Sequence, residues 1–290
     1  MGAKQTDVDF RSADGSLRLH AEVRGPEDAS LTVLCLHGLT RNGADFGFLA
    51  QHLSARHRVI TADQRGRGKS QWDPDPANYH PGTYMADMFA LLDRLALDRV
   101  VLIGTSMGGL MAIIMGASQP ARLRGIVLND IGPEVPVAGL KRLRRSLSDR
   151  APATTWAEAA QQARRINEIA FPDYVDTDWE AFARRTYVED ASARPAAAFD
   201  PVILKGLNET DLTALPPNLW SLWQQLGSIP ILAIRGALSD IISPEILDAM
   251  AAQHPNLTAV TIANRGHAPM LDEPAAVTAI DAFLQGLETT

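Results

Sequence analysis

The 290-residue chain contains a single cysteine, Cys35, and it lies within an apolar run. One cysteine cannot build a disulfide framework, and a metal site made of several cysteines is excluded for the same reason. Nothing in the cysteine content requires an oxidising compartment. We therefore expect a cytoplasmic protein, and the sequence is compatible with a monomer or a homodimer.

The sequence also lacks a lysine-rich tract, and 27 Lys and Arg residues stand against 34 Asp and Glu residues for a net charge of −7. Phosphate contacts need clustered positive charge, so a nucleic-acid partner is not expected. No apolar run approaches the roughly 20 residues that cross a bilayer. The longest candidate, Leu110 to Ala117, predicts a buried helix, and no membrane partner is expected.

Hydrophobic residues make up 46% of the chain, which is ample for the core of one large α/β domain. Short apolar, β-branched runs alternate with helical patterns, and this alternation is typical of a parallel sheet. The runs are apolar on both faces, as expected where helices cover both sides of the sheet. The sequence therefore predicts a mostly parallel, doubly wound sheet flanked by helices, preceded by an antiparallel pair of strands at Val8–Ser12 and Leu17–Val23.

This alternation stops after Asp130, because residues 133–226 contain no convincing strand. We interpret that stretch as a helical lid, or cap, inserted into a core domain formed by residues 1–132 and 227–290. Four of the five tryptophans fall in the lid: Trp156, Trp179, Trp220 and Trp223. Trp156 and Trp223 are candidates for the wall of a substrate pocket, although packing within the lid is the simpler explanation for any one of them.

The strongest motif is Gly104-Thr105-Ser106-Met107-Gly108, which follows an apolar strand and opens an apolar helix. A serine at so sharp a strand-to-helix turn projects its hydroxyl above the sheet. The two glycines suit the close approach of the strand and helix backbones. A glycine-rich connection without chemistry is the alternative, but the elements on both sides favour Ser106 as a nucleophile.

A serine hydroxyl needs a base to remove its proton, and the base needs an acid to orient it. His267 follows the predicted strand that ends near Ile262, so it lies at the sheet edge where active sites of open α/β sheets gather. Asp240 follows the strand at 231–234 and is the favoured acid, although it could instead be a turn residue before the next helix. Asp130 follows the strand at 126–128 and is the alternative acid.

The loop after the first parallel strand contains His37, Leu39, Arg41 and Asn42. An acyl-transfer site must stabilise an oxyanion, usually with backbone N–H groups. The amides of Leu39 and Met107 are the candidates for this oxyanion hole. His37 is expected to brace the loop through a ring hydrogen bond. Arg41 and Asn42 are candidate substrate-binding residues, and Arg41 could bind a substrate carboxylate.

Phosphate, dinucleotide and metal sites are not supported by the sequence patterns. Residues 66–70, Gly-Arg-Gly-Lys-Ser, look like the end of a phosphate-binding loop, but that loop would need glycine where Asp63 stands. No Gly-x-Gly-x-x-Gly motif follows a strand, and no His-x-x-x-His spacing suggests a metal site. The sequence predicts neither a metal nor an organic cofactor.

Taken together, the chain resembles the α/β-hydrolase fold family, in its branch with a helical lid. The matching pieces occur in the family's order and span nearly the whole chain: His37-Gly38, residues 63–70, residues 104–109, Gly236 with Asp240, and Gly266-His267. The resemblance implies Ser106 as nucleophile, Asp240 as acid and His267 as base, with the Leu39 and Met107 amides as oxyanion hole. Dehalogenases and epoxide hydrolases of the family carry aspartate where this chain has Ser106, so those activities are not expected.

The resemblance implies a serine hydrolase that cleaves a carboxylic ester or lactone of a small, largely apolar substrate through an acyl-enzyme. Within the family, the sequence most resembles bacterial esterases, enol-lactonases and carbon–carbon bond hydrolases. One alternative is therefore hydrolysis of a carbon–carbon bond in a vinylogous diketone. A second alternative is a ligand-binding protein on the same scaffold with little turnover, although an intact set of Ser106, Asp240 and His267 argues against it.

Overall fold

A central eight-stranded sheet organises the computed structural model, which describes residues 5–148, 153–209 and 218–289. The spatial order of its strands is β1-β2-β4-β3-β5-β6-β9-β10. The strands in chain order are β1 Gln5–Arg11, β2 Arg18–Arg24, β3 Thr32–Leu36, β4 Arg58–Asp63, β5 Val100–Thr105, β6 Leu123–Asn129, β7 Tyr187–Glu189, β8 Pro195–Ala197, β9 Ile231–Gly236 and β10 Leu257–Ile262.

Six neighbouring strands of the sheet, from β4 across to β10, are parallel, whereas β1, β2 and β4 pair antiparallel. The predicted N-terminal pair is confirmed, with Val8 opposite Ala21. The carboxyl ends of β3, β5, β6, β9 and β10 therefore point to one edge of the sheet. The loops that leave these five ends carry the predicted functional residues.

Ten α-helices surround the sheet in the described part of the chain: α1 Gly47–Leu53, α2 Pro81–Arg94, α3 Met107–Ser118, α4 Val137–Ser148, α5 Trp156–Asn167, α6 Asp176–Thr186, α7 Val202–Glu209, α8 Trp220–Gln225, α9 Pro244–Gln253 and α10 Pro274–Glu288. Pro244 and Pro274 open α9 and α10, where a missing N–H costs nothing. Among these helices, none is long and apolar enough to cross a membrane.

Alternate residues of each buried strand face opposite layers of helices. On β3, Leu34 and Leu36 pack into a cluster with α2 and α3, whereas Val33 and Cys35 pack into a second cluster with α1 and α10. All four side chains are fully buried. Burying both faces requires apolar residues at consecutive positions, which explains the continuous apolar runs of the sequence. This confirms the predicted fold class.

In the described residues, the stretch between β6 and β9 forms five helices and a short hairpin, and part of it has its own apolar cluster around Phe171, Trp179 and Phe182. The prediction that this stretch contains no strand is wrong, because β7 and β8 pair antiparallel. Each strand has only three residues, too few to give an alternating pattern in the sequence. Residues 149–152 and 210–217 of the predicted lid lie outside the described residues, and the division into lid and core stays a prediction.

Candidate active site

Ser106 occupies the turn between β5 and α3 with φ 53° and ψ −117°. A non-glycine residue in such a conformation stores on the order of 1–3 kcal/mol of strain and is characteristic of functional sites. The turn also needs its glycines. A Cβ on Gly108 would lie 2.0 Å from the carbonyl oxygen of Leu36, and one on Gly104 would lie 2.4 Å from that of Gly108. The motif therefore brings β5 and α3 together and leaves the serine side chain at the carboxyl edge of the sheet.

His267 contacts Ser106 directly, with its Nε2 2.8 Å from the Ser106 Oγ. The other ring nitrogen, Nδ1, lies 2.8 Å from Oδ2 of Asp130. Because an ionised carboxylate only accepts hydrogen bonds, Nδ1 carries the proton and Nε2 is left to accept from the serine hydroxyl. The arrangement can thus move a proton from the serine to the imidazole.

The structure places Asp130, not the favoured Asp240, beside His267. Asp130 is fully buried directly after β6, and its Oδ1 accepts the Gly236 N–H at 2.7 Å. Its Oδ2 accepts the Ser239 hydroxyl at 2.6 Å as well as the His267 ring N–H. These donors hold the carboxylate in one orientation and stabilise its charge.

Asp240 instead contacts helix α4. Its two carboxylate oxygens accept from the Nε and Nη2 of Arg142 on α4 at 2.5 and 2.6 Å. Partial burial would raise the pKa of Asp240, but the Arg142 hydrogen bonds and charge outweigh it and lower that pKa. The contact with His267 expected for Asp240 is therefore not made, because its carboxylate is already engaged by the arginine.

The loop after β3 and the start of α3 meet on either side of Ser106. Met107 is the first residue of α3, so its N–H is among those that no intrahelical carbonyl accepts. Arg67, which is fully buried, donates from Nε to the Leu39 carbonyl at 3.0 Å. Its Nη2 lies 3.9 Å from the Met107 sulfur. The segment at residues 66–70, which only resembles a phosphate-binding loop, thus supports both candidate oxyanion-hole residues.

His37 makes the bracing contacts expected of it. Its Nδ1 lies 2.8 Å from the Gly38 carbonyl, and its Nε2 accepts the Gln64 N–H at 3.1 Å. Nδ1 is therefore the protonated nitrogen. The ring is completely buried, and this burial, with the nearby Arg67 charge, lowers the pKa of His37 to about 4. The imidazole is neutral in the folded protein at neutral pH.

This lowered pKa predicts a loss of stability in mild acid. Between pH 6.5 and 4 the unfolded chain protonates His37 and the folded protein does not, so the free energy of unfolding falls as pH falls. The loss from this residue reaches about 3 kcal/mol. Urea denaturation at several pH values in this range gives the free energy of unfolding as a function of pH. That free energy should fall less steeply with falling pH in His37→Gln than in the wild type. Equal slopes in the two proteins would contradict the prediction.

A cavity of about 260 Å³ lies over Ser106 and His267, between the sheet edge and helices α4, α5 and α6. Arg41 lines it, but its Nε is 2.7 Å from the carboxylate of Asp45 and its guanidinium lies 4.3 Å from the Phe182 ring. The carboxylate-binding role expected for Arg41 is not supported, because Asp45 already neutralises its charge.

Asn42, Trp156 and Trp223 do not line this cavity. The Asn42 side chain accepts the Ala44 N–H at 2.9 Å and so caps the short helix that follows. Trp223 is fully buried in the core cluster beneath α3, and Trp156 lies under the guanidinium of Arg184 at 3.6 Å. The sequence shows the residue types, but not that these side chains lie outside the cavity.

Two residues of the site were missed. Asn129 donates from Nδ2 to the Pro269 carbonyl at 2.8 Å and to the Thr105 hydroxyl at 3.0 Å, which ties the His267 loop to the end of β5. Ser239 donates to Asp130. Asn129 could have been found from its position, since it ends β6 immediately before Asp130.

A sequence model described as the alpha/beta hydrolase family matches residues 33–280. The chain belongs to this family, and it is a hydrolase. It is 28% identical over 265 residues to the 3-hydroxybutyrate-oligomer hydrolase of Cupriavidus necator, covering 88% of each chain. It is also 25% identical over 282 residues to the esterase YbfF of Escherichia coli, covering 90% of this chain and 95% of the relative.

Among solved structures, an alpha/beta hydrolase from Novosphingobium aromaticivorans superposes with a TM-score of 0.90 at 38% identity. The match covers 98% of this chain and 99% of that one. A match of this extent includes the helices between β6 and β9 as well as the sheet. The similarity therefore applies to the whole architecture that encloses the cavity.

Proposed function

We propose that the protein is a serine esterase that cleaves a carboxylic ester or lactone of a small substrate through an acyl-enzyme on Ser106. The observation that carries this proposal is the unbroken line of contacts from Ser106 Oγ to His267 and on to Asp130, each 2.8 Å long. A strained serine, a correctly oriented imidazole and a buried carboxylate form the constellation that activates a hydroxyl nucleophile. The names of two relatives, an esterase and an oligomer hydrolase, also favour this chemistry.

In the first step the Ser106 oxygen attacks the substrate carbonyl while His267 Nε2 takes the hydroxyl proton. Asp130 stabilises the imidazolium that results. The negative charge that develops on the carbonyl oxygen is stabilised by the amides of Leu39 and Met107. His267 then gives its proton to the departing alcohol, and the acyl group remains on Ser106.

In the second step His267 removes a proton from a water molecule, which attacks the acyl-enzyme. The same two amides stabilise the second oxyanion. Collapse of this intermediate releases the carboxylic acid and returns the proton to Ser106. The cavity walls include the apolar residues Phe171, Phe182 and Leu147 and enclose an acyl group of modest size.

The proposal predicts that Ser106→Ala lowers kcat for 4-nitrophenyl butyrate by at least about 10⁴-fold, because the nucleophile itself is removed. Ser146, which lines the same cavity, provides the matched control, and Ser146→Ala should keep kcat within a few-fold. A fluorophosphonate probe should label the wild type and Ser146→Ala stoichiometrically and leave Ser106→Ala unlabelled. Substantial turnover or labelling of Ser106→Ala would overturn the proposal, as would a wild type that neither turns over esters nor reacts with the probe.

A further inference from the structure

The cavity over Ser106 is lined by three arginines and two aspartates, and it has no other acidic residue or lysine in its described wall. Each aspartate is bound to one arginine: Asp45 to Arg41, and Asp240 to Arg142. Arg165 on α5 is the third arginine. Its side chain is exposed, and no carboxylate of residues 5–148, 153–209 and 218–289 forms an ion pair with it. The described wall therefore carries one uncompensated positive charge.

We propose that Arg165 binds a carboxylate group of the substrate at a distance from the bond that is cleaved. The preferred substrate is then an anionic ester, for example the monoester of a dicarboxylic acid. A guanidinium presents a fork of donors that matches a carboxylate, and such charge-assisted hydrogen bonds are among the stronger ones in proteins. This inference rests on the proposed esterase function, since it assigns the part of the substrate that lies away from Ser106.

The other two arginines are poorer sites for the same anion. A substrate carboxylate at Arg142 would have to displace Asp240, which occupies both Nε and Nη2. At Arg41 it would have to displace Asp45 from Nε, and the guanidinium already lies over the Phe182 ring. A substrate anion at Arg165 displaces no carboxylate of the described chain. Binding there breaks no ion pair of the described residues.

The adjacent residue, Arg164, supplies a control that differs in position but not in chemistry. It is exposed on the same helix, it pairs with Glu168 and Asp176, and it does not line the cavity. Arg164→Gln and Arg165→Gln remove the same charge from the protein as a whole. They differ in whether that charge faces the cavity.

The experiment compares kcat/KM for pairs of 4-nitrophenyl esters that differ only in a terminal carboxylate: hemisuccinate against butyrate, hemiglutarate against pentanoate, and hemiadipate against hexanoate. For at least one pair, Arg165→Gln should lower the ratio of anionic to neutral ester by about tenfold or more, chiefly through KM. The neutral ester should be unaffected, and Arg164→Gln should leave every ratio within about twofold.

An unchanged ratio in Arg165→Gln for all three pairs overturns the inference, as does an equal fall in Arg164→Gln. Neither result affects the esterase proposal, which Ser106→Ala and the fluorophosphonate probe test separately. A second measurement does not need turnover. Calorimetry should show monomethyl glutarate binding to Ser106→Ala, with binding weakened about tenfold or more by adding Arg165→Gln and unchanged by adding Arg164→Gln. Equal binding by all three proteins also overturns it.

Discussion

Replacing Asp130 with asparagine is expected to lower kcat/KM for a neutral aryl ester by about 10⁴-fold, whereas Asp240→Asn should change it less than about tenfold. The asparagine oxygen takes the place that accepts the Gly236 N–H, so the NH2 group faces His267 Nδ1, and an NH2 group can only donate. The ring is therefore held in the wrong tautomer, and the imidazolium loses its counter-charge. Asp240 makes both of its strongest contacts to Arg142, so its removal leaves the line from Ser106 to Asp130 intact.

The two variants form a matched pair, because each substituted aspartate follows a strand that ends at the same edge of the sheet. The neutral ester is essential, because Asp240→Asn also releases the charge of Arg142 into the cavity. Steady-state kinetics with 4-nitrophenyl butyrate measure the effect, and near-ultraviolet circular dichroism checks that both variants are folded. A larger loss in Asp240→Asn than in Asp130→Asn would reverse the assignment of the acid.

Much of the site could be predicted because parallel strands share an edge. Ser106 and His267 each follow the end of such a strand, and that alone places them close together. The glycines on both sides of Ser106 indicate the strand-to-helix turn, since any Cβ there would collide with backbone. These signals are local in sequence, so a single chain reveals them.

The choice between the two acids could not be predicted in the same way. Asp130 and Asp240 both follow strands that neighbour each other in the sheet. What separates them is the direction of each side chain, and Arg142 of α4 determines it for Asp240. Arg142 lies 98 residues away in the chain. A contact of that kind depends on how α4 packs against the loop after β9, which no local pattern encodes.

Arg65→Met is expected to lower the free energy of unfolding by about 3–5 kcal/mol, since it leaves two buried carboxylates without their cation. The Arg65 guanidinium is fully buried between Asp87, which accepts at 2.7 and 2.8 Å, and Asp73, which accepts at 2.5 Å. Arg18 provides the contrast, because it pairs with Asp9 on the surface, where both side chains are about half exposed. Arg18→Met should cost less than about 1 kcal/mol.

Urea denaturation measures these differences as shifts of the midpoint at constant slope. The double variant Arg65→Met with Asp87→Leu should be more stable than Arg65→Met alone, because one uncompensated charge is removed with its partner. A double variant that is less stable than the single one would show that lost packing, rather than buried charge, dominates.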